Sequence, residues 1–210
     1  MYYMDYLVFM LPALILAVIA SIYTQVTFGK YAKVQAFSGV TGAQAARLLL
    51  NSKGIYDVTI EPVNGFLSDH YDPSSKTLRL SEAVYASSSL SAIGVACHEA
   101  GHALQHAASY SWLGLRTSLV PAVQIGSYAS YFLIPIGFMI NWFALVKFGV
   151  ILFSLVVIFS LITLPVEWNA SARAKKLMVS SGIVSPSEAG MAGAVLNACL
   201  LYTSPSPRDS

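Results

Sequence analysis

Three apolar runs set the terms for everything else in this chain: "YLVFMLPALILAVIASIYTQVTF" at 6–28, "SLVPAVQIGSYASYFLIPIGFMI" at 118–140 and "FGVILFSLVVIFSLITLPV" at 148–166. Each matches the length of helix, about 20 residues, that a bilayer requires. The rest of the sequence must therefore fold as polar segments tethered at the ends of membrane helices. Composition agrees, with 56% hydrophobic and only 10% charged residues, against about 25% charged in soluble domains. The formal net charge of +2 is small and scattered, which argues against a nucleic-acid partner.

The first run is preceded by Asp5 and followed by Lys30 and Lys33. A secretory signal has the opposite charge order, so the run reads as a retained anchor over residues 1–28. The second run carries Pro121, Gln124 and Pro135, a composition that suits a kinked helix or one facing protein. It forms a hairpin, 118–166, with the third. Lys30, Lys33, Arg116, Arg173, Lys175 and Lys176 gather at one set of span ends, with Asp5 and Lys147 at the other. Lys and Arg near span ends favour the cytoplasmic side, so the N-terminus is expected outside and the polar segments inside.

Residues 29–117 form the largest polar portion. "TGAQAARLLLNSKGI" from Thr41 predicts a short helix with a Gly stop. "DVTIEP" and "KTLRLS" alternate with period two between "NG" and "DPSS" turns, which predicts a small sheet. "AVYASSSLSAIGVACHEAGHALQHAAS" then reads as one helix. After the third span, "EWNASARAKKLMVSSG" predicts a separate helix closed by Gly182. "SPSEAGMAGAVLNACL" predicts another, capped by Ser185 with Pro186 at its first position. These helices occupy 167–200. The Pro/Ser-rich "LYTSPSPRDS" that closes the sequence breaks the pattern and reads as a non-native tail over 201–210, with the natural chain expected to continue.

Within "CHEAGHALQH", His98 and His102 stand one helical turn apart with Glu99 beside the first. H-E-x-x-H on a helix lets two imidazoles share one zinc ion and sets the glutamate to act on a bound water. The plain alternative is two core histidines and a surface glutamate. Against it, a charged Glu99 enters a helix of small apolar residues, where a carboxylate needs a partner or a task. His106 continues the spacing but lies ~12 Å along the axis from His98, so one ion cannot reach both. No helix breaker follows His102, and His106 is expected as a polar neighbour of the site. Cys97 and Cys199 offer no disulfide framework, and Cys97 reads as a small buried residue, with a thiol ligand or nucleophile as its alternative.

The third ligand must come from elsewhere, and Glu167 is the outstanding candidate. It sits at the boundary of an apolar span, where a carboxylate is costly unless liganded or paired. Because the hairpin returns the chain to the side it left, Glu167 lies on the same membrane face as the histidines. Two histidines, a glutamate and one open position make a catalytic rather than a structural zinc geometry. Zinc, one ion per chain, follows from the ligand types.

"DHYDP", "LRLS", "CHEAGHALQH" and "LPVEWNASARA", in that order around a membrane hairpin, resemble the membrane-bound neutral zinc peptidases of the YugP type. The resemblance covers residues 1 to about 202. It implies a mainly α membrane protein with a small β-sheet, in which a zincin-like core of the gluzincin plan is joined to transmembrane helices. It also implies a multi-pass location in the bacterial plasma membrane, with a peptide or protein as substrate. His98, His102 and Glu167 become zinc ligands and Glu99 the catalytic base. The family pattern has an Asp where this chain has Asn169, which keeps an acceptor but loses the charge that could orient a ligand histidine.

The expected reaction is endopeptidase cleavage by a zinc-activated water, with Glu99 as general base. The strand at Leu78 to Ser81 is expected to present an edge to an extended substrate. His70 and Tyr71 are candidate oxyanion donors, unless "SDHYDP" is simply a turn stabilised by Asp69 and Asp72. A non-catalytic metal-binding membrane scaffold is the main rival. It would need the histidines but not Glu99. A metal transporter would want His or acidic residues within the spans, which the three runs lack. The sequence does not fix the oligomeric state.

Overall fold

The computed structural model of the protein describes residues 2–65 and 68–201. Its elements in chain order are α1 (Tyr2–Tyr31), α2 (Gly42–Asn51), β1 (Thr59–Val63), β2 (His70–Asp72), β3 (Thr77–Ser81), α3 (Glu82–Tyr85), α4 (Leu90–Ala107), α5 (Ser111–Met139), α6 (Phe143–Ser180) and α7 (Ala189–Leu201). The protein is thus mainly helical with one small sheet. Among the described residues, three helices are long and apolar enough to cross a membrane, at Leu14–Tyr31, Ser111–Met139 and Phe143–Ser180. Apart from Leu201, the segment expected as a non-native tail lies outside the described residues.

α4 is the centre of the fold. Its residues from Leu90 to Gln105 are buried on every side, Glu99 excepted, as expected of a helix apolar all round. Leu49 and Leu50 of α2, Leu78 and Leu80 of β3, Met178 of α6 and Leu196 of α7 join Leu90 and Ile93 in one core. Local chemistry fixes the ends. Thr41 caps α2 in a reciprocal capping box with Gln44, and Gly182, at φ +66°, terminates α6 as only a residue tolerant of left-handed backbone does cheaply.

The helix expected across 83–109 is divided. α3 stops at Tyr85, and Ser89 restarts the chain by accepting a hydrogen bond from the Ala92 amide. A serine preceding the first turn is a better cap than helix interior, and the Ser87–Ser89 run supplies it. The last helix begins at Ala189 rather than Pro186. Ser185 lies in the preceding turn, its amide and hydroxyl both donating to Glu188.

The sheet order is β1-β3-β2, with β1 parallel and β2 antiparallel to β3. β3 is therefore the central strand, paired with β1 along Thr77–Ser81 and with β2 along Thr77–Arg79, so the expected free edge at Leu78 to Ser81 is covered at Leu78 and Arg79, and the Ser81 amide is taken by Asp69. The edges belong to β1 and β2. Asp72 closes the β2–β3 turn by accepting hydrogen bonds from Ser74 and Ser75.

α5 and α6 pack as a hairpin through small residues: a side chain at Gly137 would meet Val146, and one at Gly149 would meet Ile134. Such close approaches are how membrane helices associate. α5 runs unbroken through Pro121 and Pro135. The third span and the helix expected after it are one element. α6 continues through Pro165 for 38 residues, ~57 Å, far more than the ~30 Å hydrocarbon layer. Its first part lies against α5, while Ala174, Leu177 and Met178 enter the core around α4. One rod therefore links the apolar α5–α6 hairpin to the core around α4.

Candidate metal centre

α4 places His98 and His102 one turn apart, their rings 5.0 Å between centroids and nearly perpendicular. α6 crosses beside them and supplies Glu167. Its Oε2 lies 3.0 Å from Nε2 of His98 and 3.4 Å from Nε2 of His102. All three side chains are buried, at 4%, 7% and 5% exposure. Among the described residues this is the group of His, Cys, Asp and Glu whose ligand atoms converge, within 4.8 Å of one another.

The two helices reach this separation because of Gly101. A Cβ there would stand 2.6 Å from the Ala170 carbonyl oxygen. The glycine inside the histidine motif is thus a contact point with the helix that carries Glu167, not a helix breaker. α4 runs on without interruption to Ala107.

Hydrogen bonds orient the His98 ring. Its Nδ1 is 3.0 Å from the Ser171 hydroxyl, which itself donates to the Leu196 carbonyl at 3.4 Å. The Ser171 hydroxyl thus fixes the ring with Nε2 turned towards Glu167. The 3.0 and 3.4 Å separations match the donor–donor edge of about 3.3 Å around a tetrahedral zinc with bonds near 2.0–2.1 Å. The donor set and its spacing fit a zinc ion.

Glu99 follows His98 and is half-buried, the one position between Leu90 and Gln105 that reaches towards solvent. Cys97 is fully buried and its thiol is pushed up by that burial, so it is a small core residue. Asn169 accepts through Oδ1 from Gln105 and from Arg173. His106 stands outside the cluster, its Nδ1 2.9 Å from the Tyr71 hydroxyl. Burial, with help from the carboxylates of Asp57 and Asp72, pushes that hydroxyl up to about 12, which keeps it protonated. His70 spends Nδ1 on the Ser68 carbonyl, and Asp69 accepts from the Ser81 amide and hydroxyl. The "SDHYDP" stretch is thus a strand and turn held by Asp69 and Asp72.

Two residues at the site went unremarked in the sequence. Ser171 is four residues after Glu167 and Gln105 three after His102, each on the same helix face as the ligand it follows. That spacing was the available signal.

The family described as "Putative neutral zinc metallopeptidase" matches residues 6–203. The chain is also 50% identical over 174 residues to the "Putative membrane protease YugP" of Bacillus subtilis (strain 168), covering 83% of this chain and 77% of that protein. No solved structure matches it. A match across nearly the whole chain, converging on a buried His-His-Glu cluster and three membrane-length helices, places this protein in the neutral zinc metallopeptidase family.

Proposed function

We propose that this protein is a membrane-bound zinc endopeptidase in which His98, His102 and Glu167 hold the ion and Glu99 is the general base. The observation that carries the reading is the convergence of the three buried ligand atoms, with Glu99 next to His98 in the H-E-x-x-H pattern of α4. When bound, zinc supplies Lewis-acid polarisation and acidifies water towards a pKa of ~7. Glu99 takes one proton of the attacking water and returns it to the departing nitrogen, so that the scissile C–N bond breaks to a carboxylic acid and an amine, which then exchange a proton to become carboxylate and ammonium. Ser171 holds the His98 ring with Nε2 turned towards Glu167. The gluzincin plan suits this arrangement, since the glutamate ligand comes from a later helix than the H-E-x-x-H pair.

The same reading assigns residues 1–28 to an anchor, 29–117 to the catalytic part, 118–166 to a membrane hairpin and 167–200 to the helices carrying the third ligand. It sets the protein in the bacterial plasma membrane with the site towards the cytoplasm, on the distribution of Lys and Arg. Purified protein should bind one zinc per chain and cleave casein or a peptide library, and a chelator should stop cleavage until zinc is returned. Stoichiometric zinc with no turnover of any peptide would support the non-catalytic scaffold instead.

A further inference from the structure

Gln105 is completely buried, at 0% exposure, and its amide touches three groups. Oε1 is 3.0 Å from Nδ1 of His102, while Nε2 donates to the Val166 carbonyl at 2.7 Å and to Oδ1 of Asn169 at 3.1 Å. Asn169 Oδ1 in turn accepts from Nε of Arg173 at 2.7 Å. The direction of this chain is fixed at both ends. A guanidinium can only donate and a backbone carbonyl can only accept. Arg173 therefore faces Asn169 towards Gln105 with oxygen, and Asn169 and Val166 together demand the NH2 of Gln105. Only Oε1 remains for His102, so Nδ1 of His102 must carry a hydrogen, which leaves Nε2 as the ring nitrogen available to an ion.

We infer that Gln105 is the positioning residue of the second histidine, locking His102 into the metal-binding tautomer before any ion arrives. This rests on the reading of the cluster as a zinc site. The same amide ties α4 to Val166 and Asn169, which bracket Glu167 along α6. Gln105 thereby sets one ligand's tautomer and braces the helix that carries another. Arg173, stacked 5.9 Å from the Tyr110 ring, anchors the outer end. Asn169, with no charge, serves here as a relay, and Asp would keep the acceptor that both neighbours need.

Two measurements test this. Histidine-selective 15N NMR of the metal-free wild type in detergent should show His102 protonated at Nδ1. A His102 ring with Nδ1 unprotonated overturns the inference, and this readout requires no variant to fold. Zinc affinity, measured by competition with a chromophoric chelator, should fall about 10–100-fold in Gln105→Leu, the usual cost of losing a partner behind a ligand. Undiminished affinity in a folded Gln105→Leu overturns the inference. A wild type that shows the expected tautomer yet binds no zinc defeats the metallopeptidase reading and leaves the hydrogen-bond assignment standing.

Discussion

Gly101 of α4 lies against the backbone of Ala170 in α6, where an added Cβ would come within 2.6 Å of the carbonyl oxygen. The neighbour is backbone in a packed helix and cannot swing aside, so Gly101→Ala must push the two ligand-bearing helices apart. The expected cost is about 1–3 kcal/mol of stability, typical of overpacking, together with a fall in zinc affinity. Thermal melting with and without zinc measures both. Unchanged affinity would show that the spacing at Gly101 is not what sets the site.

Glu167→Ala and His106→Ala should separate cleanly. Removing Glu167 takes away one of three converging ligands, and zinc affinity should drop by more than the about 10–100-fold cost of losing an outer partner. His106 is engaged with Tyr71 instead, so its replacement should leave affinity near wild type. The reverse pattern would mean that the metal sits one turn further along α4.

Ser171→Ala removes the hydrogen-bond partner of Nδ1 behind His98 and leaves the ring less firmly held. Zinc affinity should weaken in this variant, while the metal-free protein should melt close to wild type, because little volume changes. Equal zinc-dependent stabilisation in the two proteins would rule out a role for the hydroxyl in holding the ligand.

The readable part of this site lay in local spacing. His98 and His102 needed only the helical repeat, and Glu167 was marked by its charge at the edge of an apolar run. What stayed hidden depends on partners far along the chain. Gln105 gains its role from Val166 and Asn169, and Ser171 from His98 and Leu196. The continuity of α6 was concealed because Pro165 and the onset of charge imitate a helix boundary, although a long helix supported by neighbours tolerates proline. The strand pattern of "KTLRLS" marked β3 correctly, but alternation carries no strand order, so its central place between β1 and β2 could not be foreseen.

Membrane sidedness is testable with single cysteines at Ser52, Asn141 and Ser180, all exposed, in a background lacking Cys97 and Cys199. A membrane-impermeant thiol reagent on intact cells should label position 141 alone. Labelling at 52 or 180 would put the site outside, and opposite results at those two positions would separate Glu167 from the histidines by a membrane.

Glu99→Gln tests the central claim most directly, because it removes the proposed base while leaving His98, His102 and Glu167 in place. Zinc content and peptide turnover should be measured on the same purified preparation. The account predicts near-normal zinc stoichiometry with hydrolysis abolished, since an amide cannot accept the proton of water. Turnover retained in the zinc-loaded variant, with contaminating proteases excluded, would contradict it.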